Sequence, residues 1–199
     1  MKLRKPKHNP YKIVTLLEEE LADYTGAPYV VSVDSCTNAL FLCCKYLEVQ
    51  QVTIPSKTYL SVPQSIIHSG GEVVFDTTEE TNNWKGIYQL KPYPIYDAAK
   101  RLTSNMYIPG TFMCLSFHIK KQLAISKGGV ILCDSKEAVE YLKRVQCYSM
   151  HKEKHIKVKY DLKLNRVVFL VEDCQAPGKI INAVGRILHK RGLPKWYKY

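Results

Sequence analysis

The stretch "PYVVSVDSCTNALFLCCKYL", residues 28–47, decides the fold. Its first six residues, 28–33, are β-rich, and residues 37–47 are apolar on nearly every side, as a buried helix is. Only Asp34, Ser35 and Cys36 separate the two, and Ser35 or Thr37 can cap the helix. A strand that turns so tightly into a helix leaves N–H groups and the positive end of the helix dipole exposed at the turn, which suits a phosphate. An ordinary N-cap accounts for the same residues and, taken alone, is the favoured reading, since Ser and Thr are common caps.

The alternation continues outward from this stretch. Upstream, "YKIVTLLEEELADYTG" has apolar residues at 13, 16, 17, 21 and 24, a helical stripe, with Gly26 as a stop. Downstream, "QVTIP" (51–55) reads as a strand, "LSVPQSIIHSGG" as a helix ending at glycines, and "EVVFD" (72–76) as a strand. "YPIYD" (93–97), "TFMCLSF" (111–117) and "GGVILCD" (128–134) are three more strands, and "SKEAVEYLKRVQCY" (135–148) is an amphipathic helix capped by Ser135. Strands alternating with helices predict an α/β fold with a mostly parallel sheet flanked by helices. In such sheets ligands sit at the carboxyl ends of the strands. The notable polar residues fall there: Ser35 to Thr37, Tyr59, Asp97, and Ser116 to Lys121.

Each of these carries some chemistry. Asp97 ends an apolar strand, where a carboxylate either caps a helix or holds a positive charge. Set against a pyridine ring, it would keep the ring nitrogen protonated. "SFHIKKQL" offers Lys120 and Lys121, of which one should face inward and one outward. A reactive amine needs the partly desolvated position, while a loop lysine is ordinarily solvated.

Other chemistries find little support. There is no Walker P-loop and no GxGxxG, and His118 has no Ser or Cys partner at an interpretable spacing. His151 and His155 in "HKEKH" lie one helical turn apart but lack the acid of a zinc protease motif, so no metal is expected. Seven cysteines without a CxxC read as buried reduced thiols. No apolar run approaches the length of a membrane span, and "MKLRKPKHNPYK" lacks the core of a secretory signal, so a cytoplasmic protein is expected. The formal charge of +11 is uneven. Residues 1–12 hold five Lys/Arg and no acid, residues 13–146 hold 12 against 14, and residues 147–199 hold 12 against 4. Basic ends attract anions, but no nucleic-acid module accompanies them.

Taken in order, "EEELADYTGAPYVVSVDSCTNAL", "TIPSKTYLSV", "GGEVVFD", "YDAAK" and "LSFHIKKQLAISKGGVILCD" resemble the DegT/DnrJ/EryC1/StrS family of pyridoxal-phosphate-dependent sugar aminotransferases. The resemblance covers about residues 10–148. It implies a PLP-transferase fold of type I, with a cofactor-binding domain over 1–150 and a reduced, basic C-terminal segment over 151–199. By position, Lys121, five residues after Ser116, matches the Schiff-base lysine. Ser116, Cys36 and Thr37 match the phosphate ligands, Asp97 the partner of the ring nitrogen, and Tyr59 the aromatic stacked on the ring.

The implied reaction is a ping-pong transamination from an amino acid, glutamate by expectation, to a keto group of a nucleotide-linked sugar. The implied assembly is a homodimer, with Asn165 aligned to a residue that reaches the partner's phosphate. A non-catalytic relative that binds cofactor or sugar nucleotide is the alternative. Several positions depart from the family pattern. Cys36 replaces a glycine, Lys100 stands where Gln or His is usual, and Ser126-Lys127-Gly128-Gly129 replaces Gly-Glu-Gly-Gly. Only 20 residues separate Asp76 from Asp97, where the family inserts a further strand-helix unit.

Overall fold

The computed structural model describes residues 12–125 and 127–146. The expected basic segment 151–199 with Asn165 and the two histidines, the basic residues 1–11, Ser126, Cys147 and Cys174 lie outside the described residues.

Chain order is α1 (Lys12–Thr25), β1 (Tyr29–Val33), α2 (Cys36–Tyr46), β2 (Gln51–Pro55), α3 (Ser61–Ser69), β3 (Glu72–Asp76), α4 (Glu79–Asn82), β4 (Tyr88–Leu90), β5 (Ile95–Asp97), β6 (Phe112–Ser116), β7 (Gly129–Cys133) and α5 (Lys136–Gln146). Five strands form one sheet in the order β1-β7-β6-β5-β4, and β2 pairs with β3 alone. A bridge between Thr53 and Lys91, made by two backbone hydrogen bonds of 2.8 and 3.0 Å, ties β2 to the end of β4. β3 is thus an outer edge.

The α/β layering is as the sequence predicts. The sheet is mixed, however, rather than mostly parallel. β2–β3 and β5–β6 are parallel, whereas β1–β7, β6–β7 and β4–β5 are antiparallel. For β4 and β5 the reason lies in the short link before Asp97. A parallel crossover takes a dozen or more residues, and only residues 91–94 join β4 to β5, so β4 must run back along its neighbour. Residues 77–87 hold the short α4.

Alternation along the strands sorts the core into two faces. Val31, Val33, Cys114, Ile131 and Cys133 point to α2, α3 and α5, while Val30, Met113, Leu115, Val130 and Leu132 point to α1. β6 and β7 are buried on both faces because helices cover both. α1 contributes Leu17 and Leu21, four residues apart and buried. Each stabilises by roughly 1.5–3 kcal/mol if fully buried. Gly26 ends α1 at φ +77°, its N–H donating to the Ala22 carbonyl. Among the described residues, no helix is long and apolar enough to cross a membrane.

Candidate functional site

The site lies where α2 begins, beside the carboxyl ends of β5 and β6. Ser35 is the cap of α2, since its Oγ accepts from the Asn38 N–H at 3.2 Å. Cys36 and Thr37 open the helix, where N–H groups have no acceptor within the helix itself. The Thr37 hydroxyl contacts the Ser61 hydroxyl at 2.8 Å, joining the starts of α2 and α3. Gly129 lets this helix start lie flat against β7. A Cβ on Gly129 would come within 2.6 Å of the Leu115 carbonyl oxygen and 2.7 Å of the Cys36 nitrogen. Ser116 ends β6 directly opposite Gly129, and its Oγ accepts from the His118 N–H at 3.3 Å.

Asp97 lies deeper and is 7 % exposed. Its Oδ1 accepts from the Ala99 N–H at 2.9 Å, and the Cys36 thiol stands 3.9 Å from the same oxygen. Its Oδ2 accepts from the Tyr88 hydroxyl at 2.8 Å. These partners are all neutral. Burial raises the carboxyl above its ordinary value, while the Ala99 and Tyr88 hydrogen bonds and the charges of Lys121 and Lys100 pull it down. The Cys36 thiol is pushed well up, first by burial and then by the negative charge of Asp97, and Lys121 opposes this.

The two lysines of "HIKKQL" divide as expected: Lys120 is exposed and Lys121 half-buried. The Lys121 N–H donates to the His118 carbonyl at 2.8 Å, closing a turn that carries its side chain within electrostatic reach of both Asp97 and Cys36. Lys100 is exposed, its Nζ 4.9 Å above the Trp84 ring. Lys121, Asp97, Cys36, Thr37 and Ser116 are thus gathered at one end of the sheet. Tyr59 is not packed there, being 76 % exposed on the loop before α3.

Sequence reasoning missed Tyr88, Thr58 and Trp84. Thr58 Oγ1 makes a short contact with the Tyr88 hydroxyl, and the Trp84 and Tyr88 rings lie 5.0 Å apart. The signal was present in "IYQLKPYPIYD", two β-rich runs about a proline-rich turn. Read as a hairpin, it sets Tyr88 directly across from Asp97.

The donor set suits a phosphorylated, ring-bearing cation. Helix-start N–H groups and the hydroxyls of Thr37 and Ser116 stand at one end. At the other is a buried carboxylate with only neutral contacts, a costly arrangement that an arriving cation would relieve. The half-buried amine of Lys121 completes the set.

The fold is that of the pyridoxal-phosphate-dependent aminotransferases of fold type I, to which solved structures align. One is a putative PLP-dependent aminotransferase from Bacillus cereus ATCC 10987, at a TM-score of 0.62 and 15 % identity, covering 92 % of this chain and 61 % of that one. Another is a DegT DnrJ EryC1 StrS aminotransferase from Brucella abortus, at 0.60 and 17 %, covering 74 % and 52 %. Within that fold, residues 4–85 match the model of the DegT/DnrJ/EryC1/StrS aminotransferase family. The spore coat polysaccharide biosynthesis protein SpsC of Bacillus subtilis (strain 168) is 25 % identical over 70 % of this chain and 46 % of its own length. The chain therefore spans about half the length of the curated relative it matches.

Proposed function

We propose that this chain is a pyridoxal-phosphate-dependent aminotransferase of the sugar-modifying type, with Lys121 as its reactive amine. The observation that carries this reading is Asp97, a carboxylate buried among neutral donors with Lys121 close by. The cofactor's phosphate is assigned to the start of α2, Thr37 and Ser116, its ring nitrogen to Asp97, and its aldehyde to Lys121. When bound, pyridoxal phosphate supplies an electron sink that stabilises negative charge at the substrate carbon. Asp97 would keep the ring nitrogen protonated. Lys121 would hold the cofactor's aldehyde and, once freed, would carry the proton at the substrate carbon. Lys100 adds a second cation near the ring, and Tyr59, exposed on the loop before α3, is the aromatic that would stack on it.

The acceptor is a keto group of a nucleotide-linked sugar and the donor glutamate. This accords with relatives described as acting in polysaccharide biosynthesis or as holding a TDP-sugar product. A homodimer would supply the rest of the site from a second copy, and the five buried free thiols among the described residues suit the reducing cytoplasm. The test is borohydride reduction of the purified chain with pyridoxal phosphate, followed by peptide mapping. Modification is expected at Lys121 and lost in Lys121→Ala, but kept in Lys120→Ala. Equal modification of Lys121→Ala would overturn the assignment. If the cofactor binds but glutamate never converts it to the amine form, the non-catalytic binding reading replaces that of an enzyme.

A further inference from the structure

Tyr88 belongs to none of the motifs behind the proposed cofactor site, yet it is the only side chain hydroxyl on Asp97 among the described residues. It owes its place to the reversed β4. Antiparallel pairing sets Tyr88 directly across from Asp97, so both side chains leave the sheet on the same face. The two are 8 % and 7 % exposed, so water competes little for their bond.

The phenol is braced on both sides. Its ring lies 5.0 Å from Trp84 at 57°, and its oxygen contacts Thr58 Oγ1. A phenol has one proton. With that proton donated to Asp97 Oδ2, the Thr58 hydroxyl must donate in turn to the phenol oxygen. The chain from Thr58 through Tyr88 to Asp97 therefore has a single direction when Asp97 is charged. Oδ1 is fixed separately by the Ala99 N–H. The carboxylate is held at both oxygens and its plane is set.

We propose that Tyr88, backed by Thr58, is a positioning residue that keeps Asp97 charged and oriented toward the ring nitrogen of the cofactor. The inference rests on the cofactor reading above for the ring nitrogen, and on geometry alone for the hold on Asp97. Every group facing Asp97 bears on its charge. Cys36 on α2 and Cys114 on β6 are thiols buried beside it, Lys100 follows β5 and Lys121 follows β6, and both lysines act on it through space. Of these, the cations are solvent-exposed or half-exposed. The Tyr88 bond is the direct, buried one.

The test uses the full chain, wild type and Tyr88→Phe, which keeps the ring and its packing. Carboxyl-carbon NMR of the ligand-free protein follows Asp97, assigned with Asp97→Asn, across a pH titration. Removing the hydroxyl withdraws a hydrogen bond that favours the charged form, so the Asp97 titration should move to higher pH. Thr58→Val, which leaves the phenol without its donor, should move it the same way by less. Binding of pyridoxal phosphate to Tyr88→Phe should weaken roughly ten-fold or more, the loss of one hydrogen bond to a charged group.

A merely structural role would lower the unfolding midpoint and leave the titration in place. That outcome, with Asp97 titrating as in the wild type, overturns the inference. If the wild type binds no pyridoxal phosphate, the cofactor reading fails on its own, and the ligand-free titration still decides what Tyr88 does to Asp97.

Discussion

Alanine at Gly129 tests the packing on which the phosphate end depends. The added Cβ would lie 2.6 Å from the Leu115 carbonyl oxygen, 2.7 Å from the Cys36 nitrogen and 2.8 Å from the Ser35 carbonyl carbon. All three are backbone atoms, so no side chain can swing away. An ordinary contact starts at 3.4 Å, so β7 must part by about 0.8 Å from β6 and by about 0.7 Å from the start of α2. Gly129 itself is not in the left-handed region, unlike Gly128 at φ +121°. The cost is therefore steric. Loss of chain freedom in the unfolded state favours alanine by about 0.4–1 kcal/mol. Overpacking costs about 1–3 kcal/mol and more where the neighbours are rigid. We expect a net loss of about 2 kcal/mol in urea unfolding, or roughly 4–8 °C in Tm for a domain of this size. On the proposed assignment of the phosphate to the helix start, pyridoxal phosphate should be released along with it, while free pyridoxal, lacking the phosphate, should bind the variant no worse than the wild type. A variant within about 0.5 kcal/mol of the wild type would refute the close approach of β7 to α2.

Two further predictions concern buried groups. The Asp97 carboxyl is raised in the folded state, so the stability tied to it is full below its unfolded value of 3.8 and is lost as pH rises through the folded value. Asp97→Asn, which cannot ionise, should therefore unfold at higher urea than the wild type at pH 7, with the gap narrowing toward pH 4. A gap that does not change with pH would remove burial of charge as its cause. The thiols of Cys44 and Cys133 are pushed up to about 12, mainly by burial, and Cys36, Cys43 and Cys114 are buried with them. Iodoacetamide at pH 8 should leave all five unmodified in the native chain and alkylate them after unfolding. Peptide mapping that finds any of them labelled at the rate of a free thiol would contradict the packed core.

Most of the scaffold could be read from the chain because its signals are local. Ser35 and Ser135 cap their helices as read, the latter through the Ala138 N–H at 3.1 Å, and Gly26 and Gly70 stop theirs. "QVTIP" and "EVVFD" are strands over the residues predicted. Periodicity could not show direction. Nothing in "IYQL" states that β4 runs against β5, which follows only from the length of the link between them. The gathering of Lys121, Asp97, Ser116 and the α2 start was legible because each ends or follows a strand or opens a helix. Tyr88 was not, because its role comes from pairing across a hairpin that had not been recognised. Tyr59 keeps the motif position of a stacking aromatic, but motif position says nothing about exposure.

The hairpin of β4 and β5 also divides the site in folding time. Tyr88 and Asp97 are nine residues apart along the chain, and a hairpin of that span closes within about 1–10 μs once its strands are favoured. The phosphate end instead needs Ser35 to meet Gly128 from the far side of the sequence. Long separations of this kind delay the contacts that depend on them. The acid that would hold a ring nitrogen is thus a local product of the chain, and the proposed cradle for its phosphate is completed only when β1 pairs with β7.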